Sequence, residues 1–192
     1  MALSERQSQI VEAAINIIAE QGIQNLTTKR LAADLQVTEP ALYRHFKNKQ
    51  DILKHIIGYF QDTMSPVMNK LNSTGSAPDK IINFIKDHFS LLETKPSLAK
   101  IIFVEPIFHN DFQLKNTILT MMTNSQEKIH KVIQQGIDQN KFRSDISAVN
   151  LTRIIIGSMK LIVTQWSMSG MMFNLSSEGV KLAEDIRILI QK

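Results

Sequence analysis

A chain of 192 residues is long enough to bury a sizeable core, as one compact domain or as two small ones. It contains no cysteine, which excludes a disulfide framework or thiolate metal site and fits a reducing compartment. The formal charge of +4 is spread evenly, with 7 basic against 6 acidic residues before Ile56 and 15 against 12 after it, so neither half is a polybasic arm and charge alone does not point to nucleic acid.

In chain order, Ser4 with Gln7 three places on forms a capping-box pattern. Ile10, Ala14, Ile17, Ile18 and Gln21 then recur at helical spacing as far as Gly22, a natural stop, which predicts a helix over Ser4 to Gln21. Thr27 is placed to cap a second helix whose buried stripe is Leu31 and Leu35, with Ala32 small enough for another helix to cross closely. Thr38 is placed to cap a third, because Pro40 falls in the first turn, where amide hydrogens lack intrahelical partners anyway; its stripe is Leu42 and Phe46. Asn48 followed by Asp51 starts a fourth, continued by Ile52, Leu53, Ile56 and Phe60 and ended or kinked at Pro66.

The segment Asn72 to Pro78 (NSTGSAP) reads as a loop. Helical spacing resumes at Ile81, Phe84, Ile85, His88, Phe89 and Leu92, stops before Pro96, runs briefly to Glu105 and stops at Pro106. A long helix is expected over Asp111 to Gln139, then two more over Ile146 to Met168 and Ser177 to Ile190. With no alternating strand pattern and no internal repeat, the fold class is all-α, with roughly nine helices.

The second and third helices, joined across Leu35-Gln36-Val37-Thr38, have the size and spacing of a helix-turn-helix. On a wheel of about 100° per residue, Leu42 and Phe46 point inward, Pro40, Ala41 and Arg44 lie opposite, and Glu39, Tyr43 and His45 take the flanks. A groove-reading helix needs compact residues at its tip to approach base edges and donors at its margins to hold phosphates. Lys47, Asn48 and Lys49 then bring two cations to the start of the fourth helix. From Thr27 to His55 there are six Lys or Arg against three Asp or Glu, although short polar helices with lysines also serve as plain solvated surface.

The run LTTKRLAADLQVTEPALYRHFKNKQDIL, with the helix before it, resembles the N-terminal DNA-binding domain of the TetR family of bacterial transcriptional regulators, over about residues 4 to 55. The resemblance implies that Thr28, Thr38, Tyr43, His45 and Lys49 hold backbone phosphates while Lys29, Glu39, Pro40 and Ala41 face base edges. Ala41 and the Pro40 ring can pack on thymine methyls, Lys29 can donate to guanine, and Glu39 would accept from cytosine or clash with phosphate. One departure stands out: Gln36 occupies the turn position where the family usually has glycine. A left-handed backbone there costs Gln36 on the order of 1 kcal/mol relative to glycine.

The resemblance further implies that residues 1–50 form a three-helix DNA-binding domain and 51–192 an effector-binding and dimerisation domain. Candidate ligand-facing residues are Phe84, His88, Phe103, Phe108, Met122 and Trp166, all at spacings that serve plain core packing equally well. Candidate interface residues are Ile154, Gly157, Leu161, Leu182, Ile186 and Leu189 on the last two helices, where two copies would make a four-helix bundle; the same stripes could also seal a monomer. His88 and His109 lack a paired ligand spacing, and no nucleophile elbow or glycine-rich phosphate loop is present, so neither metal, cofactor nor catalysis is expected.

The start MALSERQSQ has no basic segment followed by an apolar run, and Ile154 to Trp166 is shorter than the about 20 residues a bilayer span requires, so a soluble, cytoplasmic protein without membrane association is expected. The functional expectation is a homodimeric regulator of a near-palindromic duplex site, most often a repressor in such a family, released by a small and mainly apolar ligand, neutral or anionic. Helix four, running from the phosphate-facing lysines toward Pro66, is the expected lever. The alternative is a DNA-binding architectural or protein-partnered regulator without an effector.

Overall fold

The structure, a computed structural model, describes residues 3–102 and 112–192. Among them are nine α-helices and no strand: α1 (Glu5–Gln21), α2 (Thr28–Asp34), α3 (Glu39–Tyr43), α4 (Lys49–Asn69), α5 (Ala77–Thr94), α6 (Pro96–Ile102), α7 (Phe112–Asp138), α8 (Ala148–Met168) and α9 (Leu175–Ile190). The chain divides into two compact units, Met1–Thr63 with Lys100–Ile118, and Met64–Ala99 with Leu119–Lys192.

In the first unit, helix starts follow the expected capping chemistry. Gln7 N donates to Ser4 Oγ at 3.2 Å and Ser4 N to Gln7 Oε1 at 3.0 Å, closing the capping box of α1. Thr27 Oγ1 accepts from Arg30 N at 3.1 Å, and Asn48 Oδ1 accepts from Asp51 N at 2.9 Å. Ile10, Val11, Ala14, Leu31, Leu42, Phe46, Ile52 and Ile56 form the core. At about 1.5–3 kcal/mol for each large side chain, this burial rather than propensity holds such short helices.

Two expectations are corrected here, and of the two outcomes expected at Pro66 one is removed. Leu35 is only half-buried, because α2 ends at Asp34 and Leu35 becomes its C-cap; Ala32 fills the stripe beside Leu31 instead. Thr38 takes the N-cap backbone position of α3, but its hydroxyl makes no capping bond. The amides that such a hydroxyl would serve are unavailable, since Pro40 has none and Ala41 N donates to the Thr38 carbonyl at 3.0 Å. Pro66 does not end α4, which carries it inside and continues to Asn69.

In the second unit α5 lies along α9, and Ile81, Ile85, Phe89 and Leu92 of the one and Leu175, Ala183, Ile186 and Ile190 of the other are buried in the core. The two helices approach closely at Gly179, where an added Cβ would lie 2.6 Å from Phe89 Cβ. Glu93 at the end of α5 accepts from Leu175 N at 2.8 Å and from the Ser176 hydroxyl, so a carboxylate meets the amide-rich start of α9. At the other end Arg143 N donates to the Ile190 carbonyl at 2.9 Å while its guanidinium holds Asp145 through two bonds of 2.7 and 2.6 Å. Ala77 and Pro78 belong to α5 rather than to the loop, with Ser76 as the cap; α8 and α9 start at Ala148 and Leu175, capped by Ser147 and Asn174.

Candidate nucleic-acid interface

The turn between α2 and α3 is built from backbone bonds. Gln36 N donates to Ala33 O at 3.1 Å and Val37 N to Ala32 O at 2.9 Å, which closes the end of α2 around a left-handed residue. That residue is Gln36, with φ of 54°, so a non-glycine side chain does occupy the strained position. From this turn α3 runs for five residues and is anchored by Leu42 and Phe46, each 2% exposed. Gln7 Nε2 adds a tie from α1 to the His45 carbonyl at 3.3 Å.

Against that anchored edge, Lys29, Thr38, Pro40 and Arg44 are exposed, and Tyr43 is 50% exposed despite its aromatic ring. Thr28, Glu39, Ala41, His45 and Lys49 are half-buried. The leading turn of α3 therefore presents small groups, Pro40 and Ala41, between hydrogen-bonding flanks. Lys49 Nζ donates to the Ile23 carbonyl at 3.4 Å, at the long limit of a hydrogen bond. Asp51 Oδ2 accepts from Lys47 N at 2.9 Å, fixing the loop that carries the two lysines. One contact has no counterpart among the sequence motifs: Thr28 Oγ1 donates to Glu39 Oε2 at 2.6 Å, joining the first turns of α2 and α3. Only the proximity of threonine and glutamate on successive helix starts could have signalled it.

The candidate ligand residues divide. Phe84 and Trp166 are buried, the indole Nε1 donating to the Phe173 carbonyl at 2.9 Å; Met122 is exposed; Phe103 and Phe108, like His109, lie outside the described residues. His88 sits between the rings of Phe84 and Phe89, with centroids 5.8 and 6.2 Å away. Its Nδ1 is sealed from solvent with no hydrogen-bond partner among the described residues, and burial pushes its pKa down to about 4.

Of the candidate interface residues, Ile154, Gly157 and Leu161 line an exposed face of α8, Leu161 at 58%; Leu182 and Leu189 are half-buried, and Ile186 is buried in its own unit. Nothing lies within 4 Å of a Cβ added to Gly157. Among the described residues no three His, Asp or Glu side chains gather as a metal site, and no helix is long and apolar enough to cross a membrane.

Residues 10–56 match the bacterial regulatory proteins of the tetR family, and residues 53–192, most of the chain, match the YsiA-like protein C-terminal region of the same group. The chain belongs to the TetR family of transcriptional regulators. Among TetR-family and related proteins, it is 25% identical over 171 residues to the fatty acid metabolism regulator protein of Bacillus subtilis, covering 87% of this chain and 86% of that one. It is 27% identical over 140 residues to the nucleoid occlusion factor SlmA of Actinobacillus pleuropneumoniae, covering 70% and 68%.

Solved structures share the fold. FadR of Bacillus halodurans, a fatty acid degradation regulator, superposes with a TM-score of 0.83 at 21% identity over 97% of both chains. The ketosteroid regulator KstR2 of Mycobacterium tuberculosis gives 0.84 at 19% identity over 100% and 97%. FadR of Bacillus subtilis, solved in complex with stearoyl-CoA, gives 0.79 at 23% over 93% and 96%.

Proposed function

We propose that this TetR-family regulator is a homodimeric repressor that reads a near-palindromic duplex through residues 1–50 and is released when an amphiphilic acyl ligand occupies residues 51–192. The observation that carries the DNA part is the leading turn of α3, where the exposed Pro40 and the small, half-buried Ala41 are held over the buried anchors Leu42 and Phe46. In a helix-turn-helix that turn meets base edges. Lys29, Glu39, Pro40 and Ala41 face the bases, while Thr38, Tyr43, His45 and Lys49 take the phosphates and Thr28 stands between the two roles. Five residues of helix offer too few contacts for useful selectivity alone, which favours two readers on successive grooves. The exposed Ile154, Gly157 and Leu161 face of α8, with Leu182 and Leu189 of α9, supports pairing of two copies.

For the effector we propose a long-chain acyl thioester. Support comes from the likeness to a regulator named for fatty acid metabolism and to a neighbour solved with stearoyl-CoA. In this chain, Phe84 and Trp166 supply apolar surface, and the uncharged His88 offers a buried ring nitrogen, Nδ1, with no partner among the described residues. Binding would act by population shift, the ligand favouring a state with weaker operator affinity.

The test has two arms. Footprinting on genomic fragments should reveal a protected two-fold site; no protected site defeats the DNA reading. Acyl-CoAs of graded length should then raise the melting temperature and release that site, with free CoA as control. If no acyl-CoA does either, the regulator without a small-molecule effector takes its place, a reading to which the likeness to nucleoid occlusion factors lends support.

A further inference from the structure

We infer that Glu39 and Thr28 form one reading unit that selects a base presenting an amino group in the major groove, cytosine above adenine, in each half of the operator. The inference rests on the proposed entry of α3 into the major groove.

The 2.6 Å separation of Thr28 Oγ1 and Glu39 Oε2 requires a proton between two oxygens, and an ionised carboxylate has none to give. The single hydroxyl proton of Thr28 is therefore committed to Glu39. While it is, Thr28 presents only lone pairs outward and cannot donate to a phosphate. The bond joins the first residue of α2 to the first residue of α3, so it fixes where the carboxylate stands at the leading turn. A long flexible side chain is thereby oriented before DNA arrives, which lowers the entropic cost of using it.

A carboxylate with one oxygen tied has one oxygen free, and it can only accept. The only major-groove donors are the amino groups of cytosine and adenine; guanine and thymine turn acceptors toward the protein. Adenine's amino group stands between two acceptors, its own N7 and the O4 of the paired thymine, both of which repel a carboxylate, whereas cytosine's has an acceptor on one side only, the O6 of the paired guanine, and a C–H on the other. The free Glu39 oxygen thus matches cytosine best, tolerates adenine and rejects the other two. Phosphates are rejected for the same reason, which separates Glu39 in role from Tyr43, His45 and Lys49 around it.

The experiment selects bound sequences from randomised duplexes with the full-length protein and with Glu39→Gln and Thr28→Val, each variant first shown to melt cooperatively. The wild type should fix a cytosine at one position of each half-site. Glu39→Gln should move that position alone to adenine, whose N6 and N7 an amide can match, by about tenfold. Thr28→Val, equal in shape but without the proton, should blur that position several-fold and leave the others intact. An unchanged preference in Glu39→Gln overturns the inference, as does a Thr28→Val protein weakened equally on every sequence, the mark of a phosphate ligand. A wild type that selects no motif at all defeats instead the reading of α3 as the groove helix.

Discussion

Gly179→Ala measures how tightly α5 and α9 are pressed together. The new Cβ would stand 2.6 Å from Phe89 Cβ, 2.7 Å from Cγ and 3.2 Å from Cδ2, whereas carbon atoms rest at about 3.5–4.0 Å. Turning the ring gives no relief, because Phe89 Cβ is fixed to the α5 backbone and the side chain is 0% exposed. For the same reason even Phe89→Ala would leave the nearest clash in place. The helices must part instead, at an overpacking cost of about 1–3 kcal/mol, against which alanine returns at most about 1 kcal/mol of helix propensity. The net loss lies between about 0 and 3 kcal/mol, and for a chain of this size each kcal/mol lowers the melting temperature by about 2–4 °C. Gly157→Ala is the control: it sits inside α8 with nothing within 4 Å, so denaturation of the separated protomer should show a gain of up to about 1 kcal/mol. If α8 pairs with a second copy there, sedimentation should show weaker dimers from the same substitution. Equal stabilisation by both substitutions would refute the packing argument.

Further expectations follow from single residues. His88 has its pKa lowered from 6.5 to about 4 by burial, so between those values the unfolded chain binds a proton that the folded one refuses. Stability should hold above pH 6.5, fall by about 3 kcal/mol toward pH 4 and then level off in this component; His88→Leu should flatten that slope in urea titrations, and an unaltered slope would contradict the assignment. Gln36→Gly relieves a left-handed glutamine and should raise stability by about 0.5–1 kcal/mol with DNA affinity retained; a drop in the denaturation midpoint would speak against strain at φ 54°. Lys49→Ala should weaken binding to every duplex alike and reduce the slope of affinity against salt by about one, whereas a change in sequence preference would remove Lys49 from the phosphates.

Local chemistry is what the amino-acid order makes legible. Ser4 with Gln7, Thr27 and Asn48 each mark a helix start, and the capping partner lies within three residues, so spacing alone suffices. The inward pair Leu42 and Phe46 follows from helical period in the same way. Contacts between distant elements are not encoded so simply. Ile186 repeats on the same stripe as Leu182 and Leu189, yet it is spent inside the protomer while the others remain half-buried, because the stripe is wider than the contact with α5. The cap that Glu93 gives α9 spans 82 residues, and the Thr28–Glu39 bond depends on how a turn aims two helix starts. His88 reads as one more apolar-face residue until the rings on either side are seen to leave its Nδ1 without a partner among the described residues.

The brevity of α3 has its own consequence for DNA reading. Five residues fall far short of the about 12–15 at which an isolated helix becomes even marginal, so α3 exists only because its surroundings hold it. Those surroundings include the buried Leu42 and Phe46, the backbone closure at Gln36 and the tie from Gln7 to the His45 carbonyl. None of these belongs to the face that would meet bases, yet each sets where that face points. Operator affinity is thus as vulnerable to the anchors as to the contacts. The two kinds of loss differ in form: removing a contact alters one base position or one salt-dependent phosphate term, whereas loosening an anchor misaims the whole tip and lowers affinity for every sequence while selectivity collapses with it.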